Sequence, residues 1–492
     1  MPDRPNIVLI CVDQMRGDCL SIDGHPVVRT PNLDDLALRG TRFAHAYSAT
    51  PSCIAARAAL LTGLSQTSHG RVGYRDGVPW DYPVNMAGEF TRHGYQTQAI
   101  GKMHVYPERH RMGFSHVVLH DGYLHNGRDR TRHSLEQVDD YLPWLRLRTR
   151  HDTDYLDDGL NCNSYNVRPW DKEEAIHPTN YIVSESIDFL RRRDPTSPFF
   201  LFMSFHRPHP PLDPPAWAFE QYLHREMPEP PVGDWADYFR PLYNPHKPDL
   251  NAGKLPPDLL QRARAGYYGH VTHIDTQICR FMEVLGEYRL TGNTWIVFTS
   301  DHGDLLGDHH LWRKTLPYEG SARVPLIVTP PASVKMPHNA TCGAVAELRD
   351  VMPTLLDCAG LPIPDSIDGR SLLPWVRGEQ VNSWRPHLHG EHTYHSLPPG
   401  GQAVHYVTDG REKYVWFGGD GHEQFFDLDQ DPRETVDLAA AGSHARRVEY
   451  WRQILIQELT GREEGYVCDG KLVTGRPVNP CLDHLRKQAG LV

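Results

Sequence analysis

The 492-residue sequence predicts an α/β sandwich. Short runs of β-branched and aromatic residues alternate with longer helical patterns, and continuous apolar runs are typical of strands buried on both faces. The strand candidates are residues 6–11, 96–100, 199–203, 295–299 and 325–328. Helical patterns run through residues 180–193 and 263–285. This alternation indicates helices packed against a central sheet.

The character of the sequence changes after residue 375. Alternating patterns with Asp-Gly and Gly-Gly turns run through residues 406–410, 413–416 and 424–428, which predicts a small antiparallel sheet. We therefore expect a large domain at 1–375 and a small C-terminal α+β domain at 376–492.

Two stretches interrupt the large domain and are interpreted as insertions. Residues 121–178 are polar, and residues 208–257 contain thirteen prolines, which favours an irregular and stiff loop layer. Such segments either roof a pocket or form surface loops without a role in substrate choice, and the sequence leaves both open.

Composition excludes several classes of protein. A net charge of -11 argues against nucleic-acid binding as the main function, and no stretch is long and apolar enough to predict a membrane span. The apolar run at 7–11 is too short for a secretory signal, so we expect a cytoplasmic protein. The nine cysteines lack CxxC pairs and indicate neither a zinc cluster nor a disulfide framework. Cys468 and Cys481 are close enough in sequence to pair if the chain is exported.

The most informative segment begins at Cys53. The Ala/Leu-rich residues after it favour a helix that Gly63 ends, which places Cys53 at the helix N-terminus, where anions are stabilised, and Arg57 one turn along. Taken alone, Cys53 is better explained as a small buried hydrophobe. A cysteine-phosphatase loop is excluded, because it needs a longer spacer than the three residues between Cys53 and Arg57.

Polar side chains follow several predicted strands. Asp13 and Gln14 end the first, and Asp301 and His302 follow the strand near residue 300. In open α/β sheets ligands gather at the carboxyl ends of the strands, so these residues make a plausible divalent-cation site. Asp13 by itself is better explained as a helix cap.

Further candidates are cationic or imidazole side chains. Lys102 and His104 follow the strand that ends near residue 100, and His209 lies in a proline-rich loop after the strand at 199–203. Histidine has a pKa suited to proton transfer near neutrality. His206 is either a partner of His209 or structural, and Lys314 alone reads as a solvated lysine.

Together these segments resemble the formylglycine-dependent (type I) sulfatase family. The match includes Cys53, Arg57 and the Leu-Leu-Thr-Gly sequence that ends at Gly63, and it departs at Ala55, where the family usually has proline. The resemblance implies an alkaline-phosphatase-like α/β/α sandwich with a large mixed sheet. It also implies that a formylglycine-generating or maturase enzyme oxidises Cys53 to formylglycine.

The resemblance also assigns roles to the candidates. It implies metal ligands at Asp13, Gln14, Asp301, His302 and the modified Cys53. Calcium is the expected ion, with manganese or magnesium as alternatives because Gln14 and His302 differ from the usual family residues. It implies sulfate binding by Lys102, Lys314 and His209, and catalysis by Cys53, Arg57, His104, His209 and Asp301.

We therefore expect hydrolysis of an aryl or carbohydrate sulfate monoester to an alcohol and inorganic sulfate. Phosphonate monoester or phosphodiester hydrolases share the Asp-Gln and Asp-His choices and are the alternative, but they tend to lack the Lys102/His104 pair. A metal-stabilised binding protein with Cys53 as a thiol is the non-catalytic alternative. Trp312 and Tyr106 are candidates to hold an aryl group. The sequence does not predict the physiological ester or the oligomeric state.

Overall fold

The computed structural model describes residues 4–122, 134–155, 157–394 and 402–491. Its strands are β1 (Asn6–Asp13), β2 (Thr41–Phe43), β3 (Ala46–Tyr47), β4 (Gln96–Gly101), β5 (His116–Leu119), β6 (Phe199–Pro208), β7 (Thr294–Ser300), β8 (Leu326–Thr329), β9 (Ala340–Cys342), β10 (Ala346–Glu347), β11 (Leu388–Tyr394), β12 (Gln402–Thr408), β13 (Glu412–Phe417), β14 (Glu423–Asp427), β15 (Val467–Cys468) and β16 (Lys471–Leu472).

The α-helices complete the alternation that the sequence predicts. They are α1 (Pro31–Leu38), α2 (Cys53–Thr62), α3 (Gln66–His69), α4 (Met86–Arg92), α5 (Leu135–Val138), α6 (Tyr141–Arg148), α7 (Pro178–Arg192), α8 (Ala216–Leu223), α9 (Pro257–Glu287), α10 (Glu319–Ala322), α11 (Val351–Cys358), α12 (Leu373–Val376), α13 (Ala445–Leu459) and α14 (Asp483–Gln488). Both long helices begin earlier than their apolar patterns, because a proline at the first turn starts each of them.

An eight-stranded mixed sheet forms the centre of the fold, in the order β5-β4-β6-β1-β7-β8-β2-β9. The strands β5, β4, β6, β1 and β7 are parallel, so their carboxyl ends meet at one edge. β8 runs antiparallel to both of its neighbours. The predicted α/β/α sandwich with a large mixed sheet is therefore confirmed.

The sheet is buried on both faces. Along β1, Val8 and Ile10 point into a core that includes side chains of α1, α7 and α9, whereas Ile7 and Leu9 point into a second core with α2, α4 and α11. Successive side chains of a strand point to opposite faces of the sheet. A strand covered by helices on both faces is therefore apolar at every position. The strand ends are thereby held in fixed positions.

The predicted antiparallel sheet is present near the C-terminus, with four strands in the order β11-β12-β13-β14. β11 was not predicted, because its sequence of histidines, glycine and glutamate lacks an apolar alternation. Trp451 and Leu455 of α13 cover one face of this sheet, and Trp235 and Tyr318 pack on the other. The division into domains 1–375 and 376–492 stays a prediction.

Both insertions contain more helix than expected. Within 121–178 the structure has α5 and α6, and residues 123–133 and 156 of that insertion lie outside the described residues. Within 208–257 it has α8, so the expectation of a wholly irregular layer is wrong there. Trp217 to Tyr222 favour a helix because their apolar side chains recur at helical spacing.

Among the described residues, no helix has both the length and the apolar character needed to cross a bilayer. The two cysteines considered for pairing, Cys468 and Cys481, are free thiols.

Candidate active site at the strand ends

The candidate residues converge where the parallel strands end. Asp13 is the last residue of β1, and Lys102 and Asp301 directly follow β4 and β7. His209 follows β6, and its N–H donates to the Asp13 carbonyl over 3.1 Å. Strand register therefore brings together residues that are up to about three hundred positions apart in sequence.

Helix α2 presents Cys53 to this edge as predicted. Cys53 is its first residue, and Gly63 ends it in the left-handed conformation with φ 69°. That conformation is one that glycine adopts without steric cost. The Cys53 side chain is buried, with 2% of the residue exposed, and lies beside the strand ends.

Four polar groups surround the Cys53 sulfur. His302 Nε2 lies 3.2 Å from Sγ, Lys314 Nζ 3.4 Å, Asp13 Oδ1 3.8 Å and Lys102 Nζ 4.0 Å. Burial and the Asp13 carboxylate raise the pKa of the thiol, but the charges of Lys102, Lys314 and His302 outweigh them, and the pKa falls below its ordinary value. This environment favours an anion at the Cys53 position.

The same cluster has the donors that a divalent cation requires. Ligand atoms of Asp13, Cys53, Asp301 and His302 all lie within 4.8 Å of one another, and all four residues are buried. His302 Nδ1 donates to the Gly303 carbonyl over 2.9 Å, so Nε2 carries no proton when the ring is in its neutral form. Nε2 is also the nitrogen that faces both carboxylates, at 3.6 Å from each. The donor set therefore fits a metal ion.

Gln14, the fifth predicted ligand, is held by its neighbours. Its Oε1 accepts a hydrogen bond from Lys314 Nζ over 2.7 Å, and its amide nitrogen donates to Asp304. Tyr165 also donates to Asp304, over 2.9 Å. The sequence analysis did not single out Asp304 or Tyr165, because neither belongs to a recognised pattern.

Arg57 is buried behind the cluster. Its Nε donates to Asp301 Oδ2 over 2.9 Å, and Nη1 donates to the Lys102 carbonyl over 2.8 Å and to Ser204 Oγ over 2.9 Å. It does not line the cavity in front of Cys53. One guanidinium therefore joins α2 to β6 and to the residues that directly follow β4 and β7.

Lys102 and His104 are fixed by two different carboxylates. Lys102 forms an ion pair with Asp13. Burial lowers the pKa of Lys102, but Asp13 outweighs that effect and raises it, so the lysine is charged. His104 has a left-handed backbone with φ 57°, and its N–H donates to Asp121 Oδ1 over 2.9 Å. Asp121, which the sequence analysis did not single out, thereby holds the loop that carries both residues.

His209 and His206 lie side by side in the proline-rich loop, with ring centres 5.1 Å apart. His209 Nδ1 donates to the Pro210 carbonyl over 2.7 Å, so its other ring nitrogen carries no proton in the neutral form. Burial and the Lys314 charge hold the pKa of His209 well below its usual value. The Arg207 guanidinium donates to His206 Nδ1. His206 therefore packs beside His209 while its own Nδ1 is held by Arg207.

A second group of potential ligands, His177, Asp213 and His270, lies behind this loop. Both Asp213 oxygens accept from the Arg207 guanidinium, over 2.8 and 2.7 Å. A guanidinium in that position already supplies the positive charge that a metal would provide. We therefore interpret this group as a buried ion-pair network that supports the His209 loop.

A cavity of about 420 Å³ opens in front of Cys53. Lys102, His104, His209 and Lys314 line it together with Cys53. Both insertions contribute to its wall, which favours the pocket interpretation over that of surface loops. Their lining residues are Cys162, Asn163, His209 and Asn251.

The aromatic and cationic residues of the outer wall differ from those expected. Trp312 and Tyr106 do not line the cavity. Trp312 is buried and donates to the Gly253 carbonyl instead, over 2.9 Å. Tyr74, Tyr394 and Arg313 line it. They lie in loops and at the end of β11, where no motif marks them.

Comparisons with known proteins agree with this arrangement. The family model described as "Sulfatase" matches residues 5–361, and a model described as "N-sulphoglucosamine sulphohydrolase, C-terminal" matches residues 307–459. The chain is 51% identical to an arylsulfatase of Clostridium perfringens over 489 residues, covering 98% of this chain and 100% of that protein.

More distant relatives include members with other named substrates. The chain is 29% identical to a choline-sulfatase of Rhizobium meliloti, with 89% of this chain and 82% of that protein covered. Its structure is similar to that of a phosphonate monoester hydrolase of Agrobacterium radiobacter, with a TM-score of 0.75, 27% identity and coverage of 96% and 100%. Because the first family model spans most of the chain and the arylsulfatase aligns with nearly all of it, the chain belongs to the sulfatase family of sulfuric ester hydrolases.

Proposed function

We propose that this sulfatase hydrolyses aryl or carbohydrate sulfate monoesters with a formylglycine made from Cys53. The observation that carries this proposal is the position of Cys53, buried at the start of α2 within 4.0 Å of two lysines, a histidine and a carboxylate. The proposed partners are a sulfated small molecule or sugar and an enzyme that oxidises Cys53.

A hydrated formylglycine supplies one hydroxyl to attack sulfur and a second whose deprotonation expels sulfate. Lys102 and Lys314 flank that position and balance the negative charge that develops on the sulfonyl oxygens. Arg57 acts through Asp301: it holds the carboxylate in place and neutralises part of its charge.

Two histidines move protons in this proposal. His209 protonates the departing alcohol, and the negative charge of the bound sulfate ester favours the protonated ring that this step needs. Its Nδ1 stays bonded to the Pro210 carbonyl, so the proton is delivered from the other nitrogen. His104 accepts the proton of the second hydroxyl from its place on the cavity wall.

The proposed metal ligands are Asp13, Gln14, Asp301, His302 and the modified Cys53, with calcium as the expected ion. When bound, the ion supplies Lewis-acid charge next to the nucleophile.

Chelation of the metal should therefore lower kcat by about a hundredfold or more, and calcium should restore kcat better than magnesium or manganese. It should also lower the Tm, because Asp13 and Asp301 are buried. Equal ionic strength from a monovalent salt is the control, and a Tm and kcat that chelation leaves unchanged would contradict the site.

The proposal is tested against phosphonate hydrolysis with two esters that share a leaving group. We expect kcat/KM for 4-nitrophenyl sulfate to exceed that for 4-nitrophenyl phenylphosphonate by at least about tenfold, since Lys102 and His104 face the substrate. The Cys53→Ala protein, purified identically, measures any contaminating phosphatase. Faster cleavage of the phosphonate ester would overturn the assignment.

A further inference from the structure

The outer wall of the cavity carries a cation that the proposed mechanism does not use. Arg313 lines the cavity next to Lys314 and is half-buried. Its Nη1 donates to Asn251 Oδ1 over 3.1 Å. Within the described part of the chain, no carboxylate oxygen lies within 4.0 Å of this guanidinium.

The local backbone holds Arg313 in this position. Arg313 has φ 66° and Thr315 has φ 85°, both in the left-handed region, which a β-branched residue rarely adopts. Hydrogen bonds fix the turn: the Arg313 N–H donates to Asp304 Oδ1 over 3.1 Å, and Thr315 N–H donates to the Pro51 carbonyl over 3.0 Å. As a result, the consecutive side chains of Arg313 and Lys314 line the same cavity.

The two cations face different surroundings. Lys314 Nζ lies 3.4 Å from the Cys53 sulfur and donates to Gln14, so it belongs to the group around the scissile sulfate. Arg313 is held instead by Asn251, a neutral amide. A half-buried guanidinium next to another cation is stabilised when an anion binds it, and its planar fork suits a carboxylate or sulfate.

We propose that Arg313 binds a second anionic group on the alcohol part of the substrate, so that preferred esters carry a carboxylate or a second sulfate besides the scissile one. This inference rests on the proposed function, because it assumes that the scissile sulfate lies at Cys53. It makes Arg313 a determinant of specificity that leaves the chemistry at sulfur unchanged.

The test compares kcat/KM for 4-carboxyphenyl, 4-sulfooxyphenyl and 4-carbamoylphenyl sulfate in the wild type and in Arg313→Gln. For each protein, kcat/KM for an anionic ester is divided by kcat/KM for the neutral carbamoyl ester. Intrinsic differences between the leaving groups cancel when this ratio is compared between the two proteins. We expect Arg313→Gln to lower that ratio about tenfold, or about 1.4 kcal/mol. The first two esters distinguish a carboxylate from a second sulfate. Arg192→Gln, an exposed change at the end of α7, should leave the ratio unchanged.

A ratio that Arg313→Gln leaves unchanged would overturn the inference while the proposed function stands. Failure of the wild type to cleave these three esters, 4-nitrophenyl sulfate and any sugar sulfate would instead overturn the proposed function. Calorimetric binding of 4-carboxyphenyl sulfate to Cys53→Ala then decides the role of Arg313 without turnover. Weaker binding after the additional change Arg313→Gln would support the anion site, and equal binding would overturn it.

Discussion

Replacement of Cys53 by alanine is expected to abolish sulfate ester hydrolysis, with kcat falling by about 10⁴- to 10⁶-fold. Alanine has no group that can be oxidised to the aldehyde, so both hydroxyls of the proposed nucleophile are lost. The measurement is kcat with an aryl sulfate, combined with mass spectrometry of the wild-type peptide that contains Cys53. That peptide should show the aldehyde.

Cys279→Ala is the matched control, because Cys279 is a half-buried thiol in α9 that does not line the cavity. It should keep wild-type activity. Substantial turnover by Cys53→Ala, or an intact Cys53 thiol in every molecule of an active sample, would exclude formylglycine chemistry.

Replacement of His209 by glutamine is expected to lower kcat by about 10²- to 10⁴-fold for esters of weakly acidic alcohols. The loss should shrink as the leaving group becomes more acidic, since a stable phenolate needs no proton to depart. Rates measured for a series of substituted phenyl sulfates and one sugar sulfate give this dependence directly.

The control is His224→Gln, which changes an exposed histidine that follows α8. A loss for His209→Gln that is the same for every leaving group would show that the residue binds sulfate and donates no proton.

The sequence predicted those parts of the site that local chemistry determines. Gly63 marks the end of α2 and so places Cys53 at its start, and apolar β1 places Asp13 at a strand end. Roles that depend on tertiary contacts could not be predicted from the sequence. Nothing local to Arg57 shows that it bonds to Ser204, and nothing local to Arg313 shows that a strained turn directs it into the cavity.

The same limit applies to the C-terminal sheet. β11 has a polar composition and lines the cavity with His392, Thr393 and Tyr394, so no periodic apolar pattern reveals it. The positions of Tyr74 and Tyr394 in the cavity lining likewise depend on how distant segments pack.

Strand β11 lines the cavity with His392, Thr393 and Tyr394, while Cys53 begins α2 and Lys102 follows β4 of the central sheet. An ester that fills this cavity is therefore expected to contact β11 as well as the residues around Cys53. By thermodynamic linkage, its binding energy adds to the free energy that holds the two sheets together. We therefore expect a saturating, uncleaved substrate analogue to slow proteolysis of the C-terminal sheet relative to the free enzyme.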